Sequence, residues 1–501
     1  MIATAQPTRI LQPNGTPFGR VRRFRNEYEA TSDKHRRRAT STILKSEDKV
    51  LGRSDRRKMI ENARDLRRNF SDAAWAIRKH LDFVSTFSFQ MRTDDDGFNE
   101  EAEAWLRDVS RPWRFEVAEK HRLDRFFRLA EASRTVDGDV FLLKLKDGRV
   151  QAIEGDRIRT AAKGNKTPRD YKPDKFVHGI ETTKSGKHVR YCIMSRRGGG
   201  FEYETLLMSR FVIPYGFYDR FDQVRGITPL SSALNQWRDV YEGREYALLK
   251  AKVAQLFGLK LTSTSDGMTP QGPIGQIYSE DAEEGETEDA AGKDPGSYEY
   301  DFTKGPQLID LTESPGADAD FLENRTPSTE FQEFDKLVVA AALKSLDIPY
   351  SFYDESHTNF FGSKGALQQY LYSAAIKRRD HVELRDTWLR FRLGLAIADG
   401  DLTLPNGKDF SWITWQWIPK GLPWWKPLEE VKAQKEAIAG GLLDVPAACQ
   451  ERGEDAMDVA RRQVRYEVAV GKLREENDLP PLGGAPPEPM NPAETIPAEE
   501  R

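Results

Sequence analysis

Cysteine is nearly absent from this chain of 501 residues, which contains only Cys192 and Cys449. Two cysteines are too few for a disulfide framework, and neither stands in the spacing typical of a zinc site. Cys192 falls in a strand-like run and Cys449 on a short predicted helix, so neither resembles an activated nucleophile. We expect folding in a reducing cytoplasm, with no metal and no cofactor.

Long apolar runs are also lacking. No stretch of about 18 apolar residues occurs, which argues against a membrane-spanning helix. Residues Met1 to Gly19 are polar and rich in proline and glycine, so they do not resemble a signal peptide, and we expect a disordered arm there. The sequence predicts neither export nor membrane insertion.

Familiar catalytic signatures are missing as well. The seven histidines form no His-Glu-x-x-His pair, and no Gly-Lys-Ser/Thr follows Gly198-Gly199-Gly200, so a hairpin loop is favoured there over a phosphate cradle. His80, His121 and His381 fall within helical patterns and are interpreted as packing or surface residues. We therefore expect no catalytic residue and no enzyme activity.

Carboxylates beside a predicted hairpin leave one enzymatic alternative open. Asp137-Gly138-Asp139 and Glu154-Gly155-Asp156 could gather a divalent metal, as in a nuclease acting through Asp139 and Glu154. Each triplet also places a glycine between two acids, which is ordinary turn chemistry. We favour turns and keep the metal-dependent nuclease as the alternative function.

Charge is balanced overall, at −4, but not along the chain. Arg20 to Arg68 carries 17 Lys/Arg against eight Asp/Glu, which suits either a solvated face or contact with nucleic acid or an acidic partner. A later acidic run predicts an exposed loop that would repel DNA or attract a basic partner. Its carboxylates are Glu280, Asp281, Glu283, Glu284, Glu286, Glu288 and Asp289.

Hydrophobic periodicity predicts an α+β chain, rich in helix, with a small antiparallel β region, and a second small β-rich subdomain is expected between Leu259 and Pro327. A helical spacing over Ser54 to Val84 breaks near Asn69 to Asp72, which predicts two helices, and two more are expected at Phe98 to Leu106 and Val117 to Val136. From Asp139 the period falls to two, with a hairpin turn at Asp147-Gly148. The remaining strand-like runs of this small antiparallel region are Phe176 to Ile180, Val189 to Met194 and Phe211 to Tyr215.

The segment that follows predicts a long helix. Thr228 can cap its first turn, Pro229 suits the first helical position because its missing N–H has no partner there, and Gly226 permits a sharp bend. Apolar residues then recur every three or four positions up to Phe257, so the helix would be roughly 45 Å long.

Later segments repeat this helical character. Thr326-Pro327 starts a returning helix, and Ser363 starts a second helix of about 30 residues. Trp412 to Trp425 is predicted to be a tryptophan-rich connector. A small helical end domain is expected at Leu428 to Gly440, Pro446 to Gln450 and Asp455 to Glu475, followed by a disordered tail from Leu479.

Several motifs, in collinear order from about Arg53 to Leu479, resemble the portal proteins of tailed bacteriophages, specifically the lambda-like branch. The most specific is the long motif that begins at Arg220. The matching segments include Arg64-Asp-Leu-Arg-Arg-Asn69, Gly138-Asp139-Val140-Phe141, Arg220-Phe-Asp-Gln223-Val-Arg225-Gly226-Ile-Thr-Pro229-Leu230, Leu346-Asp-Ile348-Pro349-Tyr350 and Asn359-Phe-Phe-Gly-Ser363-Lys-Gly-Ala366-Leu367.

The resemblance implies a portal fold with long stem and wing helices, a small antiparallel β region in the wing, a β-rich clip and a helical crown. The implied parts are a disordered arm (1–19), wing (20–225), stem helix (226–258), clip (259–325), returning stem helix (326–349), channel loop (350–362), wing helix and connector (363–427), crown (428–478) and disordered tail (479–501).

The resemblance further implies a virion protein, assembled in the bacterial host cytoplasm, that forms a ring of typically twelve subunits at one capsid vertex. The ring would be the conduit for packaging and ejecting double-stranded DNA. Implied partners are further copies of the chain, viral DNA, the terminase large subunit, head-completion or adaptor proteins, and the major capsid or scaffold protein, with no membrane. Another head-tail structural protein remains an alternative.

Two groups of residues acquire implied roles. The channel loop would approach DNA with Ser356, His357, Thr358, Asn359 and Phe360. The motif at the start of the stem helix would set the angle at which each subunit reaches the channel, through Gln223, Arg225, Gly226, Thr228 and Pro229. Leu230, Trp237 and Tyr241 would lie either between subunits or in the core of one chain.

Overall fold

The computed structural model describes residues 45–162, 166–197, 200–256, 259–263, 317–321, 328–354, 356, 359–421, 426–477 and 479. The predicted arm (1–19), the acidic loop Glu280 to Asp289, His357, Thr358 and almost all of the tail lie outside these residues. Two compact units are present: a larger one, Met1–Arg238 with Val339–Arg501, and a smaller one, Asp239–Val338.

Helices dominate the first part of the larger unit. The predicted break near Asn69 is confirmed, and it falls at Phe70, between α2 (Arg53–Asn69) and α3 (Ser71–Val84). On α2 the buried residues Met59, Ile60, Ala63 and Leu66 share one face, while charged residues cover much of the other. The helices up to the hairpin are α1 (Glu47–Val50), α2 (Arg53–Asn69), α3 (Ser71–Val84), α4 (Asp96–Val109), α5 (Pro112–Phe115) and α6 (Leu123–Asp137).

The predicted hairpin is present as β2 (Asp139–Lys144) and β3 (Val150–Glu154), and β8 (Val212–Gly216) pairs antiparallel with the other edge of β2. A second antiparallel sheet has the order β4 (Phe176–Val177), β5 (Ile180–Thr182), β6 (His188–Arg197) and β7 (Gly200–Met208). Arg197 pairs with Gly200, which confirms a hairpin at the glycine-rich turn. The strand β7 itself was not predicted.

One pairing contradicts the predicted connector. β1 (Phe87–Met91) pairs antiparallel with β11 (Trp415–Pro419), so Trp415 to Pro419 forms a strand and not a linker. On β11, Trp417 is buried in the hydrophobic core that also contains Phe87 and Met91, and Trp415 is partly buried and packs against that core. Both tryptophans therefore contribute to this hydrophobic core.

The longest helix, Phe360–Asp399, supplies one wall of that core. It has 40 residues, ten more than predicted, and spans about 60 Å. Trp388 and Leu389 are fully buried against Phe115, Phe127 and the hairpin strands. Three predicted helices near the C-terminus are confirmed as Pro427–Ala439, Val445–Glu451 and Ala456–Glu476.

The smaller unit contains most of α7 (Leu234–Leu256) and α8 (Thr329–Leu343), together with an antiparallel pair of β9 (Leu259–Ser263) and β10 (Ala317–Phe321). Arg244 on α7 forms an ion pair with Asp335 on α8, with a closest N–O distance of 2.8 Å. The larger unit also contains α9, the 40-residue helix Phe360–Asp399, and the helices α10 (Pro427–Ala439), α11 (Val445–Glu451) and α12 (Ala456–Glu476). Within the described residues, every helix is too short or too polar to cross a bilayer.

Two local predictions were wrong. α7 does not begin at Pro229: residues Pro229–Ser232 form a 3₁₀ turn, and the α-helix starts at Leu234. His121 lies outside any helix, in the segment before α6. Helix boundaries follow from local hydrogen bonding, which a hydrophobic spacing does not resolve.

Candidate functional site

The motif that begins at Arg220 follows β8 and forms a compact loop held by one amide side chain. Gln223 Nε2 donates to the carbonyls of Phe217 and Arg225, at 3.0 and 2.7 Å. Its Oε1 accepts from the backbone N–H groups of Asp219 and Arg220, at 2.9 and 3.3 Å. Gln223 therefore bridges both ends of the loop.

Arg225 is the centre of the site, because all five of its N–H donors are used. Nε and Nη2 form a bidentate pair with the carboxylate of Asp139, at 2.7 and 2.9 Å. The other three donors bind backbone carbonyls: Nη1 binds those of Ile158 and His178, and Nη2 binds that of Gly155, at 2.6 to 2.8 Å. One side chain thus joins the loop after β8 to three other segments, at Asp139, at Gly155 to Ile158 and at His178.

Asp139 is equally saturated. Besides Arg225, its Oδ1 accepts from Arg56 Nη2 at 3.0 Å and its Oδ2 accepts from the backbone N–H of Gly226 at 3.0 Å. The side chain is fully buried. Burial alone would raise the pKa of Asp139, but Arg225 and Arg56 outweigh this effect and hold the pKa below its usual value. Asp139 is therefore a buried anion with no acceptor position left for a metal.

Arg56 brings a second positive charge from α2 to the same carboxylate. Its Nη1 donates to the carbonyl of Gly226 at 2.7 Å. Burial and the like charge of Arg225 lower the pKa of Arg56 to about 10. Although Arg56 belongs to the basic region that sequence alone assigned to a solvated face or a phosphate contact, it is buried. We call Arg56, Asp139 and Arg225 the Arg225 cluster.

Two glycines let the chain segments meet closely enough for the Arg225 cluster to form. A Cβ added at Gly226 would lie 2.1 Å from the carbonyl oxygen of Gly138, and one added at Gly138 would lie 2.6 Å from that of Gly226. Gly138 also has a φ of +93°, which L side chains rarely adopt. The backbone after β8 therefore packs directly on the start of the hairpin.

Thr228 and Pro229 fix the direction in which the chain leaves this contact. The hydroxyl of Thr228 donates to the carbonyl of Thr135 at 2.6 Å and accepts from the N–H of Leu230 at 3.1 Å. Pro229 occupies the first position of the 3₁₀ turn. The hydroxyl thus caps the turn, as predicted, and also ties it to the end of α6.

Comparison with known proteins identifies the family of this chain. The profile of the family described as "Phage portal protein, lambda family" matches residues 34–370, a range that contains the whole Arg225 cluster. The chain belongs to the lambda family of phage portal proteins.

Solved structures give weaker similarities to this portal-family chain. The virion of a native gene transfer agent particle matches with 13% identity, covering 84% of this chain and 94% of that chain, at a TM-score of 0.42. The neck of an empty particle of the same kind has the same identity and coverages and a TM-score of 0.44. An HK97 family phage portal protein from Corynebacterium diphtheriae matches with 12% identity, covering 63% of this chain and 82% of that chain, at a TM-score of 0.24. No curated protein matches the chain.

The nuclease alternative does not fit the contacts of this portal-family chain. Glu154 and Asp156 bind Arg196, and together with Asp137 they surround Arg64, whose Nη2 lies 2.6 Å from Asp137. Asp139 and Glu154 serve different arginines. Among the described residues, no three His, Cys, Asp or Glu side chains are arranged to hold a metal. The first triplet contains the last residue of α6 and the first residue of β2, and the second contains the last residue of β3 and the start of a 3₁₀ turn, so the prediction of turns holds only in part. Carboxylates of both triplets bind arginines.

Of the five residues predicted to approach DNA, the structure describes Ser356, Asn359 and Phe360, and the first two form hydrogen bonds. Ser356 bonds with its backbone N–H to Asp354 at 3.0 Å. Asn359 caps α9: its Oδ1 accepts from the N–H of Gly362 at 2.6 Å, and Phe360 is the first residue of the helix. Tyr353, which also lies in the predicted loop, donates its hydroxyl to Asp72 on α3 at 3.0 Å.

Two of the histidines lie in a second buried cluster, around Glu131. His80 Nε2 is 3.1 Å and His381 Nδ1 is 3.4 Å from this carboxylate, and the Tyr215 hydroxyl also donates to it. Burial would raise the pKa of Glu131, but hydrogen bonds from His381 and His80 hold it well below the usual value. Burial lowers the pKa of His381 to about 4, so its ring is neutral. The prediction of packing residues holds for both histidines.

Sequence reasoning found the residues of the loop motif but missed their partners. Arg225 and Asp139 are separated by 86 positions, and Arg56 comes from a helix 83 positions before Asp139. The only signal was the isolated arginine between Val224 and Gly226, in a segment otherwise typical of a turn. A charged residue with an apolar residue before it and a glycine after it indicates a buried ion pair, but the local sequence does not identify the residue that pairs with it.

Proposed function

We propose that this chain is a portal subunit that assembles into a closed ring, which we expect to contain twelve copies, at one vertex of a phage capsid. The ring serves as the conduit for packaging and ejecting double-stranded DNA. It also provides the docking platform for the terminase large subunit and for the head-completion or adaptor proteins. The family match over residues 34–370 is the observation that carries this proposal.

The Arg225 cluster supports a mechanical role for the start of the stem helix. Three charged side chains from α2, β2 and the loop after β8 are buried together, with every donor of Arg225 engaged. A rigid, saturated junction of this kind fixes the direction of the chain that follows it. A conduit needs such a junction because each subunit must present its helix to the channel at the same angle for the ring to close.

Exposed apolar side chains on the smaller unit support ring formation. Large apolar residues on α7 and α8 are more than half exposed in the single chain: Tyr246, Leu248, Leu249, Phe334 and Leu337. Soluble monomers rarely leave several such residues exposed on two neighbouring helices. Heterologous contacts between copies in a closed ring would bury them without leaving a free end.

Negative-stain electron microscopy of the purified full chain tests the proposal. We expect closed rings with a central hole wide enough for duplex DNA, and class averages that give the number of subunits. A chain that stays a compact monomer under all assembly conditions would overturn the ring and, with it, the conduit.

A further inference from the structure

A cavity of about 310 Å³ lies between the first turns of α2 and the segment that follows β3, and Arg56 and Arg225 of the Arg225 cluster form part of its lining. Arg53 and Arg57 reach it from α2, and Arg159 reaches it from the opposite side. Ile60 and Phe201 give it an apolar wall. The cavity belongs entirely to the larger unit, and no step of the proposed function uses it.

The charges around this cavity do not balance. Arg56 and Arg225 share Asp139, and Arg64 contacts three carboxylates. Arg57 pairs with Glu61 at 2.7 Å. Within the described part of the chain, Arg53 and Arg159 have no carboxylate within ion-pair distance. The cavity thus presents two guanidinium groups without an ion-pair partner in the described chain, while the two carboxylates that line it, Glu61 and Asp156, are paired with other arginines.

Of these two arginines, Arg159 is held in place by its surroundings, whereas the side chain of Arg53 is exposed. The backbone N–H of Arg159 donates to the carbonyl of Cys192 at 3.2 Å, and its guanidinium lies over the ring of Phe201, 4.2 Å from the centroid. Arg53 is the first residue of the 17-residue helix α2, where the helix dipole adds positive potential. Burial and the nearby charges of Arg57 and Arg53 lower the pKa of Arg159, and the charges of Asp156 and Glu61 offset this only in part.

We propose that this cavity binds a phosphate-type anion, held by Arg53 and Arg159. The planar guanidinium fork matches phosphate oxygens in a bidentate manner, and paired arginines without carboxylates are the usual protein ligands of such groups. The volume accommodates a pyrophosphate or the phosphate end of a larger ester, whose organic part would lie against Ile60 and Phe201. The phosphate comes either from a free phosphate compound or from a nucleic-acid backbone.

Titration calorimetry on the full chain tests this site, with inorganic pyrophosphate as the first probe and a short DNA duplex as the second. We expect Arg159→Gln to weaken pyrophosphate binding by roughly ten-fold, because one charge-assisted contact is lost. Arg210→Gln is the matched control, since Arg210 also lies over a phenylalanine ring, that of Phe211, but outside the cavity. Thermal unfolding of both variants checks that they fold.

Each outcome decides the question. Pyrophosphate binding that Arg159→Gln weakens and Arg210→Gln leaves unchanged supports the site. If the DNA duplex displaces pyrophosphate, the phosphate source is nucleic acid; if it does not, the source is a free phosphate compound. The proposal is overturned if pyrophosphate does not bind, if both variants lose affinity equally, or if only an acidic peptide with the sequence of residues 280–289 binds.

Discussion

At the scale of single residues, Arg225 is the side chain on which the junction depends most. Lysine keeps the positive charge but offers a point charge on a flexible stem, so it cannot satisfy Asp139 and the carbonyls of Gly155, Ile158 and His178 together. Arg225→Lys should therefore lower the free energy of unfolding by about 2–4 kcal/mol, because buried acceptors lose their donors. Urea unfolding of the purified chain measures this change.

Arg220→Lys is the control within the same motif. Arg220 is about half exposed and forms ion pairs with Glu47 and Asp222, at 3.1 and 3.4 Å. Exposed pairs contribute little, so this substitution should change stability by less than about 1 kcal/mol. Equal effects of the two substitutions would show that the number of donors at position 225 is unimportant.

The Glu131 cluster makes stability depend on pH. The pKa of His381 is about 4 in the folded chain, against a usual value of 6.5, so the unfolded chain binds more protons between these values. This contribution to stability is fully present above pH 6.5 and is lost as the pH falls towards 4. Its upper limit is roughly 3 kcal/mol, at 1.36 kcal/mol per unit of pKa.

His381→Gln should reduce the slope of unfolding free energy against pH in this window. The reduction corresponds to a difference of up to about one bound proton between the unfolded and folded chain. Phe87→Leu is the control, because Phe87 stacks on His381 with the ring centroids 5.6 Å apart and does not titrate. That control should lower stability at every pH and leave the slope unchanged. Denaturant unfolding at a series of pH values measures this slope. An equal slope in the wild type and His381→Gln would refute the link between His381 protonation and stability.

At the scale of elements, the start of α9 depends on Asn359. An asparagine at this position accepts a bond from an otherwise unpartnered helix amide, and its loss costs about 1 kcal/mol. Asn359→Ala should therefore fray the first turn, which hydrogen exchange at the amides of residues 360–363 reports. Asn359→Asp should retain the protection, because aspartate caps equally well.

The same pair of variants separates capping from contact with DNA. A residue that approaches a DNA backbone should keep this contact when it is replaced by alanine. It should lose the contact when it is replaced by aspartate, because phosphates repel the added negative charge. Capping predicts the reverse order. If Asn359→Asp exchanges as fast as Asn359→Ala, the capping role is wrong.

Most elements of the larger unit could be predicted because their signals are local. The helical spacing of α2 and α3 and the Asp147-Gly148 turn between β2 and β3 are contained within a few residues. The pairing of β1 with β11 is not local: Phe87 lies opposite Pro419. Neither strand has a strict alternation, and Trp415 to Trp417 reads equally well as a connector, so only the folded chain brings the two together.

The contacts of the candidate site were less predictable than the elements that carry them. Gly226 and Pro229 predict a bend, because glycine is conformationally permissive and proline fixes its own φ angle. The bond between Arg225 and Asp139 depends on the packing of α2, β2 and the loop after β8, and the burial of Leu230 and Trp237 depends on the same packing. Both residues are buried in the described chain, so the intrachain alternative was correct for them, whereas Tyr241 is 43% exposed.

At the scale of the whole molecule, the exposed apolar residues of the smaller unit separate folding from assembly. Leu337 on α8 is 68% exposed, so it contributes little to the stability of a single chain. If copies in a ring bury this side chain, an aspartate there would place a charge in an apolar contact. Leu337→Asp should therefore leave the melting temperature of the dissociated chain nearly unchanged and strongly reduce assembly.

Gln332→Asp is the matched control, because Gln332 is an exposed polar residue on the same helix and the substitution adds the same charge. Size-exclusion chromatography with light scattering should then give large assemblies for the wild type and Gln332→Asp, and small species for Leu337→Asp. Rings formed equally well by all three chains would remove Leu337 from the subunit interface. Loss of assembly in both variants would instead point to general charge repulsion. Only the divergence of Leu337→Asp from Gln332→Asp requires the apolar face of α8 to be buried between copies.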